Sequence, residues 1–118
     1  MAAKIRIYHN PKCSTSRKVL DAIRKAGHEP EVVEYLKAPP SPTELKEVLA
    51  MMKAEPAAIL RRKEGLYKEL GLDQKLPPEG KLLALLHENP VLIERPIVVK
   101  GKKAIVARPP ERVEELLK

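Results

Sequence analysis

The apolar residues of this 118-residue chain keep two different rhythms, and the order in which they alternate restricts the fold more than any other feature. Lys4–Tyr8 alternates, with Ile5 and Ile7 on one face, as a strand does. Asn10-Pro11-Lys12 reads as a turn. Ser14–Ala26 then places Val19, Leu20, Ile23 and Ala26 on one helical stripe, and Gly27 supplies the stop. Glu31–Tyr35, carrying Val32 and Val33, reads as a second short strand. If these two strands pair in parallel, the opening is a right-handed βαβ unit.

The rhythm then changes. Ala38-Pro39-Pro40 breaks the chain, and Ser41-Pro42-Thr43-Glu44 has the form of a capping box with Pro at the first helical position. Leu45, Val48, Leu49 and Met52 form the stripe of a second helix. From Glu55 to Asn89 the chain reads as helical in pieces, divided by Pro56, Gly65, Gly71, Pro77 and Pro78. Leu82, Leu83, Leu85 and Leu86 mark the best-formed piece. Pro96–Val99 and Ala104–Ala107 are two strands joined by Lys100-Gly101-Lys102-Lys103, a spacing that suits a hairpin. Pro109 and Pro110 start a last helix whose apolar side is Val113, Leu116 and Leu117. The order βαβ, helical insert, ββα predicts an α/β fold: a thioredoxin-like mixed four-stranded sheet flanked by helices. The insertion falls at about residues 41–90 of a single domain spanning 1–118.

Composition narrows the function classes. No apolar run approaches the length of a bilayer span, and Met-Ala-Ala-Lys-Ile-Arg-Ile-Tyr at the N-terminus is not built as a secretory signal. The net charge is +7, from 23 Lys and Arg against 16 Asp and Glu, but acidic residues interrupt most basic stretches. With no Phe or Trp for bases to stack on, no nucleic-acid partner is expected; a small anion or an acidic partner fits better. The one cysteine, Cys13, excludes a disulfide framework and a cysteine-rich metal site, so no metal and no tightly bound cofactor are expected. A free thiol fits a reducing cytoplasm.

Cys13 stands between a strand and a helix, off the apolar stripe. A helix N-terminus offers about half a positive charge and several unpaired N–H groups, and both favour thiolate over thiol. Lys12, Arg17 and His9 lie close in sequence and are expected to add to the effect. The N–H groups of Ser14, Thr15 and Ser16 can also hold an oxyanion. Two familiar thiol motifs fail. A dithiol enzyme needs Cys-x-x-Cys, but the second position is Ser16; a Cys-x5-Arg phosphatase loop needs arginine where Val19 stands. What remains is a monothiol that depends on thiols from other molecules.

His9 by itself reads as a local hydrogen-bonding group, and only its place four residues before Cys13 raises it. His28 and His87 read as structural or solvated. Arg61, Arg95 and Arg108 are the other candidates. In a thioredoxin-like fold, the turn before the third strand lies beside the active thiol, which would bring Arg95 near Cys13. The Arg95–Pro96 bond is a candidate cis peptide. Guanidinium groups around a thiolate suit a tetrahedral oxyanion, which they bind through paired N–H groups.

At this point the residues point to a family. His9-Asn10-Pro11-Lys12-Cys13-Ser14-Thr15-Ser16-Arg17, with Tyr35-Leu36, Pro39-Pro40-Ser41, Leu60-Arg61, Tyr67–Gly71 and the Asn89–Val99 run, closely resembles the glutaredoxin-type, glutathione-coupled arsenate reductases. The resemblance implies that Cys13 is the nucleophile and that Arg61, Arg95 and Arg108 bind the arsenic oxyanion. It casts His9 as an electrostatic aid to the thiolate. It also implies that glutathione is a co-substrate, reacting at the Cys13 adduct, and that glutaredoxin supplies the second thiol. Family members often carry Gly directly after the nucleophile, where this chain has Ser14. Two other classes share parts of this pattern. One is the Spx-type regulators that bind RNA polymerase, whose sensing members use the Cys-x-x-Cys that Ser16 excludes. The other is a glutathione-linked thiol transferase, which needs Cys13 but has less need of three arginines.

Overall fold

The alternating run at the start of the chain becomes β1 (Ile5–Tyr8), an inner strand of a four-stranded sheet. The computed structural model describes residues 4–117; the first three residues of the stretch weighed as a signal lie outside them. A turn leads to α1 (Ser14–Lys25), and the chain returns through β2 (Glu31–Val33), parallel to β1. After the insert, β3 (Ile97–Lys100) pairs antiparallel with β1, and β4 (Lys103–Val106) pairs antiparallel with β3. The order β2-β1-β3-β4 is the mixed sheet expected of a thioredoxin-like fold.

β2 is shorter than its sequence pattern suggests. The Glu34 carbonyl accepts the backbone N–H groups of both Lys37 and Ala38, each at 2.9 Å, so the chain turns there and Tyr35 leaves the strand. The hairpin is tight: Lys100 pairs with Lys103, and Gly101 takes a φ of 61°, which few residues but glycine tolerate. The chain then passes through a 3-10 turn (Pro110–Arg112) into α5 (Val113–Leu117).

The described residues form two compact units, one taking the chain up to Ala38 and from Arg95 onward, the other Pro39–Glu94. In the first, Ile5, Ile7 and Val98 on one sheet face meet Val19 and Ile23 of α1 and Val113 and Leu116 of α5. Of the residues that the two rhythms placed on apolar faces, Ile5, Ile7, Val19, Ile23, Val113 and Leu116 are buried here and Leu20 and Leu117 pack at the margin, whereas Ala26 is exposed because α1 ends at Lys25. Ile23 is fully buried in this cluster. Ile23→Ala is therefore expected to cost about 2–5 kcal/mol, through lost transfer energy and the cavity left behind. Chemical denaturation of the variant checks this.

The second unit holds α2 (Pro42–Met52), α3 (Gly65–Glu69) and α4 (Glu79–Glu88). The capping box forms as expected: Ser41 Oγ accepts the Glu44 N–H at 3.1 Å. α2 and α4 pack together and bury Leu45, Val48 and Leu49 on one and Leu82, Leu83 and Leu86 on the other. His87 donates from Nδ1 to the Pro40 carbonyl at 2.9 Å, tying α4 to the segment before α2. An antiparallel bridge, Leu60 with Ile93, closes the unit. Among the described residues, no helix is long and apolar enough to cross a membrane.

Candidate active site

Sheet register gathers the candidate residues of the first unit. Val33, Tyr8, Ile97 and Val106 form one row of paired positions across all four strands. Two residues beyond that row, at the same end of the sheet, stand Tyr35, Asn10, Arg95 and Arg108. β1, β2 and β4 run towards this end, whereas β3 starts from it. Residues far apart in sequence therefore meet because one pairing is parallel and β3 alone runs in the opposite sense, antiparallel to both of its neighbours.

Asn10 shapes the turn that follows β1. Its Oδ1 accepts the Lys12 N–H and its carbonyl accepts the Cys13 N–H, each at 3.0 Å. The turn delivers Cys13 to the N-cap of α1 with an extended backbone, and the Cys13 carbonyl accepts the Arg17 N–H. No side chain caps this end. The N–H groups of Ser16 and Thr15 and the Arg95 guanidinium instead act on the Cys13 sulfur electrostatically. Burial alone would push the thiol up. The Ser16 hydrogen bond, the Arg95 hydrogen bond and charge, and the Thr15 hydrogen bond outweigh it and hold Cys13 below the ordinary thiol range.

Arg95 is partly buried, and its own pKa carries the matching signature. Burial lowers it, and the contact with Cys13 raises it by more. Its Nε is buried with no hydrogen-bond partner among the described residues. Arg108 donates from Nη1 to the Arg95 carbonyl at 3.1 Å, so the two arginines are joined at the backbone of the turn before β3. Both Arg95–Pro96 and Arg108–Pro109 are cis peptides.

His9 and Ser16 form a buried pair. His9 Nδ1 lies 2.6 Å from Ser16 Oγ, which also accepts the Asn10 N–H at 3.1 Å. Burial lowers the His9 pKa, so the imidazole is neutral near pH 7. Its direct contact is with Ser16, whose own N–H serves the thiol. The Ser16 side chain is thus occupied, leaving its backbone to face the sulfur; Ser14 is exposed. Arg17 donates to the Pro11 carbonyl at 2.9 Å.

Arg61 belongs to the other unit. The Leu60–Ile93 bridge sets it diagonally opposite Glu94, and its Nη1 lies 3.3 Å from Glu94 Oε1, with Glu64 3.7 Å from its Nε. The sequence reading assigned no role to Glu94 or Tyr35. Glu94 directly precedes Arg95, and Tyr35 is one of three aromatic residues in the whole chain, which were the available signals. Among the described residues, no three His, Cys, Asp or Glu side chains gather as a metal site requires.

Charge is divided unevenly. The unit that holds Cys13 carries fifteen Lys and Arg against seven Asp and Glu, whereas the Pro39–Glu94 unit carries eight against nine. The chain's whole positive excess thus lies with the thiol. Anionic reagents should be drawn to Cys13 more than neutral ones. The ratio of iodoacetate to iodoacetamide alkylation rates is expected to fall about threefold between low salt and 0.3 M, where screening lengths drop below roughly 10 Å. A salt-independent ratio would contradict this.

The ArsC family profile matches residues 8–116. An uncharacterized protein of Escherichia coli K12, YfgD, is 43% identical over 118 residues, covering 99% of each chain. An arsenate reductase of Neisseria meningitidis serogroup B is 43% identical over 115 residues, covering 97% of this chain and 98% of that one. The solved structure of an arsenate reductase from Vibrio cholerae matches with a TM-score of 0.92 and 45% identity, over 98% of both chains.

Proposed function

The chain belongs to the ArsC family, and we propose that within it this protein is a cytoplasmic arsenate reductase working through the Cys13 thiolate with glutathione and glutaredoxin as thiol donors. The observation that carries the reading is the state of Cys13. Two N–H groups of α1 and the Arg95 guanidinium act on one sulfur and favour its thiolate form. The relatives named arsenate reductase supply the substrate class.

In this reading the Cys13 sulfur attacks arsenic. An As–S bond forms, and one arsenate oxygen leaves as water after taking up protons. Arg95, its Nε otherwise unsatisfied, holds the oxyanion, and Arg108 steadies the turn that carries Arg95 and adds its charge beside the oxyanion. By family resemblance Arg61 is assigned as the third oxyanion ligand; in its own unit it pairs with Glu94. His9 acts through Ser16 rather than as a cation.

Reduction needs two electrons, and Cys13 has no partner cysteine in the chain. Glutathione therefore reacts at the adduct and glutaredoxin supplies the second thiol. Glutathione displaces a second arsenic oxygen as water. The glutaredoxin thiolate attacks the glutathione sulfur and leaves with it as a mixed disulfide, and both electrons of that broken As–S bond stay on arsenic. Water then cleaves the Cys13–As bond to release arsenite and the free thiol. The deciding experiment compares kcat/KM for arsenate, with glutathione and glutaredoxin present, against kcat/KM for a small glutathione mixed disulfide. Preference for arsenate supports the reading. Preference for the disulfide replaces it with a thiol transferase.

A further inference from the structure

We propose that Tyr35 is a positioning residue of the thiolate site, bracing the Arg95 guanidinium so that it faces Cys13; the inference rests on Cys13 being the reactive thiol. Tyr35 and Arg95 are matching positions in the fold. Each lies two residues beyond the Val33–Tyr8–Ile97 row, Tyr35 where β2 ends and Arg95 where β3 begins. The turn closed by Lys37 and Ala38 on the Glu34 carbonyl takes Tyr35 out of its strand and directs it inward. There it is fully buried, hydroxyl included, although it stands in a turn beside exposed Leu36.

A phenol buried to that degree in a loop needs a polar neighbour, since desolvating a hydroxyl without one is costly. The neighbour is Arg95: the Tyr35 hydroxyl and the Arg95 guanidinium act on each other electrostatically, and the same guanidinium acts on the Cys13 sulfur. Phe would fill the same space without the oxygen, and the chain uses no Phe anywhere. A long arginine side chain loses substantial rotamer freedom when held in one orientation. A rigid hydroxyl beside it limits that freedom before substrate arrives, and the Arg108 bond to the Arg95 carbonyl holds the backbone of the turn.

Tyr35→Phe removes one oxygen and leaves the ring. The expected result is a Cys13 alkylation midpoint raised by about half a pH unit, since Arg95 then spends less time at the sulfur. The arsenate KM should rise about fivefold with kcat changed less than about twofold, because ground-state anion binding is weakened. A purely structural tyrosine would lower the melting temperature and move neither quantity. The same substitution in an Arg95→Gln background is expected to add no further shift of the midpoint. An unchanged midpoint in Tyr35→Phe, or an equal shift with and without Arg95, would overturn the proposal. The alkylation readout needs no arsenate, so a chain that reduces none would sink the functional reading and still test Tyr35.

Discussion

Cys13→Ser is expected to abolish arsenate reduction, lowering turnover by more than roughly 10^4-fold, with the melting temperature nearly unchanged. The backbone argument supports the second half. Cys13 holds its N-cap place through main-chain bonds to Asn10 and Arg17, which serine keeps. Chemistry supports the first. The two N–H groups and Arg95 that lower a thiol's pKa into the working range cannot bring a hydroxyl anywhere near it. A serine oxygen also has no thiol redox chemistry to offer a second sulfur. Steady-state arsenite release and thermal melting, measured on the same preparation, check both halves. Substantial turnover in the serine variant would remove Cys13 from the reaction.

Arg95→Gln is expected to lower kcat/KM for arsenate by roughly 10²–10³, the scale of losing about 2.7–4 kcal/mol of anion stabilisation at a reacting centre. Two losses combine in this one substitution. The thiol loses its only charged hydrogen-bond donor among the groups that act on it, so its alkylation midpoint rises towards that of free cysteine near about 8.5. The oxyanion loses a guanidinium that carries an unsatisfied buried N–H. The groups around the wild-type sulfur shift its midpoint the other way, below the ordinary thiol value. Arg95→Lys keeps the charge and loses the planar fork, so it should recover part of the midpoint shift and little of the arsenate affinity. Equivalent substitutions of Arg61 and Arg108 are expected to impair turnover more than folding. Iodoacetamide rates against pH and arsenate kinetics separate the two losses.

Much of the first unit was legible because its signals are local. Ile5 and Ile7 declare a strand face, Val19 and Ile23 a helix face, and Ser41-Pro42-Thr43-Glu44 a helix start, each within a few residues. Cys13 at a helix N-terminus follows from where β1 stops and α1 begins. The short hairpin turn sets the Ile97–Val106 pairing, so the meeting of Arg95 and Arg108 was implicit in turn length. Partners set by distant burial were not legible. His9 reads as a local hydrogen-bonding group, but nothing in the sequence names Ser16 as its partner or shows that burial lowers its pKa. Tyr35 continued an alternating pattern, and only the Glu34 turn removes it from β2. Arg61 was legible as a candidate, but not its partner: a single bridge between Leu60 and Ile93 sets Glu94 beside it. No periodicity encodes a one-residue bridge.

The absence of a second cysteine makes the source of electrons the most exposed part of the account. The direct measurement is arsenite formed by the wild-type protein from arsenate, with glutathione and glutaredoxin present and with both omitted. Steady turnover in the complete mixture is expected, and without thiols no sustained arsenite production. No arsenite in the complete mixture, or sustained production without thiols, would contradict a monothiol reductase built on Cys13.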